Sequence, residues 1–272
     1  MRRLVAALEA GRDLAEQEAA ALAEQAVEGA LDPAVARALA EALARRGPTG
    51  SELRGLARVL RERAVRPPIG ARGAPLVEVA GPGPQWTEGA LLAAAAGARV
   101  VQQGGEGAVP GRPLPLAEDP LDEPGEAARL LARTGFTCLY APRFHPALMA
   151  VAGSDAVARL LLPLIDPCRP HHLVLGAASP AEGQALVDAL AGMHLERAVV
   201  VQEEGGRWRR RQVRPGGVAE GGLEAPPGEV EIAALVLEVC GLAGTREEAE
   251  RQARAAQEDG RAARTRAAVA AG

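Results

Sequence analysis

The chain has 272 residues, of which 48% are hydrophobic and 24% charged, with a formal net charge of −4. That length suits one large domain, or a large domain with a small one. The mild acidity excludes a global attraction to nucleic acid or to an acidic membrane surface, and no apolar run approaches the roughly 20 residues of a membrane span.

The first 65 residues predict helices only. Leu4, Ala7 and Leu8 mark a short helix ending near Gly11. Asp13 and Glu16 have capping-box spacing, which predicts a helix to about Glu28. Asp32-Pro33 opens the next, with a capping Asp and Pro at the first helical position, and it runs to about Arg45. Thr49 and Glu52 form another capping box, ahead of a helix with Leu53, Leu56, Val59 and Leu60 on one face. Arg66-Pro67-Pro68 breaks it, and Pro67–Pro75 reads as a linker. These helices suit packing or homodimerisation.

A glycine-rich unit follows. Leu76–Ala80 reads as a strand, Gly81-Pro82-Gly83 as a turn, Glu88–Ala96 as a helix and Arg99–Val101 as a strand entering the loop Gly104–Gly107. A glycine loop between a strand and a helix N-terminus offers free N–H groups to an anion such as phosphate. Pro110–Pro124 reads as a loop, Glu126–Arg133 as a helix, Phe136–Tyr140 as a strand and Ala141–Pro146 as its exit loop. Helices over Ala147–Val151 and Asp155–Leu162 precede a strand at Leu173–Gly176 and a helix over Pro180–Leu190 capped by Ser179. Gly205-Gly206 joins Val199–Glu204 to Arg207–Val213 as a hairpin, and Glu229–Val239 and Thr245–Asp259 close the chain as helices. The alternation predicts an α/β fold: a small all-helical N-terminal subdomain over 1–66, and over 67–272 a larger α/β domain with a mainly parallel central sheet flanked by helices.

The sequence holds no lysine and no asparagine, so lysine nucleophiles, P-loop lysines and asparagine amides are excluded. Cys138, Cys168 and Cys240 are widely spaced, which argues for free thiols in a cytoplasmic protein rather than a zinc site. The N-terminus reaches Asp13 and Glu16 without a long apolar core, which argues against a signal peptide. His171, His172 and His194 show no metal-ligand spacing with one another.

This order of elements resembles anthranilate phosphoribosyltransferase and its relatives, whose fold is shared with the pyrimidine nucleoside phosphorylases. The resemblance rests on Gly47-Pro48-Thr49 before the fourth helix, the strand into Gly81-x-Gly83, Leu139–Pro142 followed by Phe144–Leu148, Pro163–Pro167, the strand Glu196–Val201 and the Asp259–Ala262 turn. The chain is shorter than a typical member, chiefly around 110–124 and 151–163. The resemblance implies a glycosyltransferase of tryptophan biosynthesis that moves phosphoribose from its diphosphate onto an aromatic amine. N–H donors, a cation and Mg²⁺ would neutralise the leaving diphosphate.

Several positions depart from that pattern. The family's Gly-Thr-Gly-Gly-Asp loop is Gly81-Pro82-Gly83-Pro84-Gln85 here, and each proline removes a donor. Its Lys-His-Gly-Asn-Arg segment is Gln102-Gln103-Gly104-Gly105-Glu106; a carboxylate there repels diphosphate by on the order of 1 kcal/mol. Its Asp-Glu metal pair aligns with Trp208-Arg209, with Glu203-Glu204 nearby as a cation site or a solvated turn, and its Asn-Ala-Ala with Ile232-Ala233-Ala234. The arginine that would hold an acceptor carboxylate falls at Asp155 on an ungapped count; Arg143 and Arg159 are not assigned to it.

Ligand-binding candidates are therefore Gly81, Gly83, Thr87, Gly104 and His145. The glycines can instead serve turn geometry, Thr87 a helix cap and His145 the structure. No metal ligand is assigned, and Mg²⁺ is expected only if phosphoribosyl diphosphate binds. The expectation is a phosphoribosyltransferase-like protein with weak or absent turnover. The alternative is a non-catalytic relative binding nucleic acid or another anion through Arg207, Trp208, Arg209, Arg210 and Arg211, unless that ribbon is simply a charged sheet edge.

Overall fold

The computed structural model describes the chain apart from residues 1, 2, 4, 5, 8, 9, 71–74, 105–122, 153, 154, 166, 169–171, 194 and 272. Most of the expected first helix, the loop after Gly104, the 110–124 loop, His171 and His194 fall on those excepted residues.

Three helices open the described fold: α1 (Glu16–Val27), α2 (Pro33–Arg46) and α3 (Gly50–Arg63). The α1 cap differs from expectation. Ala15 occupies the cap position, and Glu18 reaches back to its N–H at 3.0 Å, so Asp13 and Glu16 form no box. On α3 the box is present: Glu52 N–H donates to Thr49 Oγ1 at 3.3 Å, and Thr49 N–H donates to Glu52 Oε2 at 2.8 Å. Leu53, Leu56, Val59 and Leu60 are all buried, each worth roughly 1.5–3 kcal/mol of transfer free energy.

The α/β domain runs β1 (Leu76–Ala80), α4 (Gln85–Ala95), β2 (Arg99–Gly104), α5 (Pro124–Thr134), β3 (Phe136–Tyr140), α6 (Ala141–Phe144), α7 (Leu148–Ala152), α8 (Asp155–Ile165), β4 (His172–Gly176) and α9 (Pro180–Ala191). It continues through β5 (Arg197–Glu204), β6 (Arg207–Arg214), β7 (Gly217–Leu223), α10 (Glu229–Val239), α11 (Arg246–Glu258) and α12 (Arg261–Ala270). The expected exit loop after β3 is the short helix α6 instead, with Pro142 in its first turn, where a fixed φ and a missing N–H cost nothing. Gly205 and Gly206, at φ 60° and 76°, make the two-residue turn that matches strand twist.

The sheet has seven strands in the order β3-β2-β1-β4-β5-β6-β7, parallel from β3 to β5 and antiparallel thereafter. Two elements were not anticipated. β7, Gly-Val-Ala-Glu-Gly-Gly-Leu, has little β-branched or aromatic content, and α12 begins anew after Gly260, beyond the Asp259 at which the sequence predicts the end of the last helix. The arginine-rich β6 is consequently not the sheet edge; β7 is.

One face of the sheet packs on α4, α10, α11 and α12. The other carries α8 and α9, and through them α1, α2, α3 and α7, in one continuous apolar core. Arg54 and Arg61 of α3 bolt this contact to backbone carbonyls, Arg54 to Asp188 at 2.6 Å and Arg61 to Leu164 at 2.6 Å.

Candidate functional site

β1 connects to β2 on one side, while the chain crosses to β4 on the other. The crevice between the C-terminal ends of β1 and β4 is therefore the topological switch point, where open α/β sheets hold ligands. Gly81 follows β1 there and Gly176 ends β4. A Cβ built on either glycine would run into the indole of Trp86, the second residue of α4. The ring thus lies against both glycine walls, 2% exposed. Beside it remains a cavity of about 10 Å³, lined by Gly81, Arg159, Pro163 and Gly176, with room for about one water.

The first N–H groups of α4 are taken by the carbonyls of the loop before it. Trp86 N–H donates to Gly83 O at 3.4 Å; Thr87 and Glu88 N–H donate to Pro84 O at 3.0 and 3.1 Å. Pro84, not Thr87, is the cap residue, and Gly83 sits at φ 93°. Helix α4 starts three residues before the predicted Glu88, which is what carries Trp86 into the crevice. Arg159 makes a two-pronged pair with Glu182 at 3.0 and 2.7 Å. Glu182 also accepts the Ala178 N–H at 2.9 Å. Burial opposes the charge on Glu182, but these bonds outweigh it and hold its carboxyl below the usual range.

A polar seam crosses the bundle-facing side of the sheet next to this crevice. Gln103, one residue before Gly104, donates from its amide nitrogen to Glu78 Oε1 and to Leu162 O, the latter at 2.9 Å. With both amide hydrogens engaged, Gln103 Oε1 faces His145 Nε2, which must carry the ring proton. His145 Nδ1 is then a bare acceptor, buried without a hydrogen-bond partner. Burial lowers the His145 pKa to about 4, so the ring is neutral at pH 7. The structure therefore places Gly104 and His145, like Gly81, at the C-terminal ends of the parallel strands, but His145 is 3% exposed and faces Gln103. A neutral imidazole of that basicity can hold a position; as a proton acceptor at pH 7 it is weak.

Sequence reasoning missed Trp86, Glu78, Gln103 and the Arg159–Glu182 pair. One signal was available: Glu78 is a carboxylate in the middle of an otherwise apolar strand.

The Arg207–Arg211 ribbon lies on the far side of the sheet. Its side chains alternate between faces. Arg210 pairs with Glu238 of α10 at 3.1 Å, and Trp208 packs on the same side. On the other face Arg209 pairs with Glu204 at 3.0 Å, and Arg211 with Glu220 at 3.2 Å. Arg207 is exposed.

Magnesium prefers carboxylate and water oxygens. Trp208 and Arg209 supply none, Glu204 is engaged by Arg209 and Arg211, and Glu203 projects alone into solvent. Among the described residues no group of three His, Cys, Asp or Glu side chains converges. The residues at these positions do not fit the ion.

Residues 2–64 match the family model described as "Glycosyl transferase family, helical bundle domain". Anthranilate phosphoribosyltransferase of Chloroflexus aurantiacus is 33% identical over 225 residues, covering 76% of this chain and 65% of that protein. This chain thus spans just under two thirds of that relative's length. The enzyme of the same name from Desulforudis audaxviator is 32% identical over 255 residues, covering 82% and 72%. Among solved structures, anthranilate phosphoribosyltransferase from Thermus thermophilus superposes with a TM-score of 0.75 at 26% identity, covering 98% of both chains. The Saccharomyces cerevisiae enzyme in complex with phosphoribosyl diphosphate and Mg shares the fold, with a TM-score of 0.66 at 16% identity over 87% and 84%.

Proposed function

The chain belongs to the anthranilate phosphoribosyltransferase family, and from that premise we propose that it is a cytoplasmic member that keeps the family scaffold but does not transfer phosphoribose from its diphosphate. The observation that carries this reading is the indole of Trp86 against Gly81 and Gly176, in the crevice where a ligand of this fold would sit. Supporting features point the same way. Pro82 and Pro84 have no N–H, the N–H groups of Trp86 and Thr87 at the start of α4 are taken by the Gly83 and Pro84 carbonyls, and Arg159 is held by Glu182. A diphosphate would have to displace a buried aromatic ring and then find, among the described residues, few cations and no cluster of metal ligands. Burial of an indole is worth several kcal/mol, so the closed crevice is the stable state.

Calorimetry with phosphoribosyl diphosphate and Mg²⁺ tests this, followed by turnover with anthranilate. No binding heat and no product are expected. Product formation at an ordinary enzymatic rate would overturn the reading.

The nucleic-acid alternative is weaker. Phosphate contacts need guanidinium groups free to trade counterions, whereas Arg209, Arg210 and Arg211 are spent on Glu204, Glu238 and Glu220. A gel shift at low salt is expected to show no complex with DNA or RNA.

A further inference from the structure

The outer edge of the sheet has an unusual make-up. β7 is the last strand, and no strand among the described residues pairs with its outer side. Native edges are commonly blunted by Lys, Pro, bulges or inward-pointing charges. β7 has no Lys and no Pro, and Glu220 is its lone charge, drawn to Arg211 at 3.2 Å. Val218, 43% exposed, is the one exposed large hydrophobic side chain among the described residues, and it lies on this strand.

We propose that β7 is a self-association edge, on which two copies of this chain pair antiparallel about a two-fold axis at Glu220. The strand's sequence carries the choice of occupant. In that register Val218 faces the partner's Gly222, Ala219 faces the partner's Gly221 and Leu223 faces the partner's Gly217. Every glycine thus meets a side chain, and every larger apolar residue meets a glycine. Space exists for this: a Cβ at Gly217 or Gly222 would have nothing within 4 Å. Shifting the axis by one residue, to Ala219, sets Val218 against the partner's Glu220 and loses the match.

Charge fits as well. The two Glu220 carboxylates would approach at the axis, but each keeps its own Arg211 on the inner strand. The row Arg211, Glu220, the partner's Glu220, the partner's Arg211 has no net charge. A charged peptide would find no uncompensated charge along this strand, whose lone charged side chain, Glu220, is paired with Arg211. The pairing would join two seven-stranded sheets into one. It is independent of what the crevice binds.

The decisive experiment is cross-linking with register control. In the proposed pairing the Cβ atoms of the two residues 220 lie about 4.5–5.5 Å apart. Full-length Glu220→Cys with a short bismaleimide should give a covalent dimer in high yield. The wild-type chain, with its own three cysteines, and the double variant Glu220→Cys/Val218→Lys should not. Light scattering adds the mass: Val218→Lys should halve the wild-type assembly while circular dichroism stays unchanged. A wild-type monomer, a mass unaffected by Val218→Lys, or no cross-link through position 220 would each overturn the proposal. Should Val218→Lys misfold, Gly222→Asp on the same face serves in its place, and the cross-link stands on its own.

Discussion

Two buried glutamates stand at joints in the two halves of this molecule, and their hydrogen bonds differ in kind. Glu52 in the bundle is 0% exposed and meets a cation, Arg46, on both oxygens. It also accepts from Leu14 N–H at 2.8 Å and Thr49 N–H at 2.8 Å, so one carboxylate ties the start of α1, the end of α2 and the start of α3. Glu78 in the sheet is 1% exposed and accepts a hydrogen bond from the uncharged amide of Gln103, which passes the connection on to His145. The first is a salt-bridged hub; the second joins a carboxylate to an uncharged amide and, through it, to an uncharged imidazole. A charged hub fails when either partner is lost, because the survivor is left buried and uncompensated. A relay that runs through a buried uncharged imidazole fails when that imidazole becomes charged.

The largest effect should come from breaking the hub. Glu52→Ala leaves Arg46 with 19% side-chain exposure and without its main partner. The expected loss is about 3–5 kcal/mol, read as a shift in the urea midpoint. A loss below about 1 kcal/mol would mean that Asp13, 3.2 Å from Arg46, takes over the pairing, and the contrast with Glu78 would weaken.

Next comes acidification of the relay. The folded His145 pKa of about 4 lies below its ordinary 6.5. The unfolded chain therefore binds more protons between those two values, and stability rises with pH across that window. The contribution is fully present above about pH 6.5 and is lost as pH falls toward 4, on the order of 3 kcal/mol in all. Comparing urea unfolding of wild type and His145→Gln at pH 7.5 and 4.5 checks it. The wild-type slope should be the steeper. Equal slopes would mean that the relay accommodates an imidazolium. Glu182, held below the usual carboxylate range, keeps its contribution over most of the His145 window and starts to lose it only as pH falls below the ordinary carboxylate value.

How much of this was legible follows from sequence distance. The Glu52 box spans three residues, and local spacing announced it. The relay joins groups separated by 25, 42 and 59 residues, and nothing local marks Gln103 as the joint between them. Trp86 was invisible for the same reason: its seat is built from Gly81 and Gly176, on strands that meet only because the chain crosses over at the switch point. Strand and helix positions were largely readable, since periodicity and caps are local. The exceptions, β7 and α12, lack the apolar contrast on which such reading depends.

A double-mutant cycle tests the crevice with a smaller effect. Gly176→Ala places a Cβ against the Trp86 ring and should cost about 1–3 kcal/mol through overpacking. In a Trp86→Ala background, itself destabilised by about 3–5 kcal/mol, the same change should cost close to nothing, because the clash has gone. Additive losses would mean that the ring does not occupy the crevice as described.

The smallest effect separates the cap of α3 from the hub it belongs to. Thr49→Ala removes the hydroxyl that accepts the Glu52 N–H at 3.3 Å, but keeps the Thr49 backbone N–H on the Glu52 carboxylate. The expected cost is about 1 kcal/mol, the ordinary worth of a helix cap. Ser179→Ala on α9 is the matched control: its hydroxyl accepts the Glu182 N–H at 3.2 Å, and that glutamate is likewise paired with an arginine, but at 21% side-chain exposure. If the hub is cooperative, the bundle cap should cost more than the sheet-side cap. The reason is that loosening Thr49 disturbs a carboxylate with no water to fall back on. Equal losses at the two caps would reduce Glu52 to a set of independent bonds.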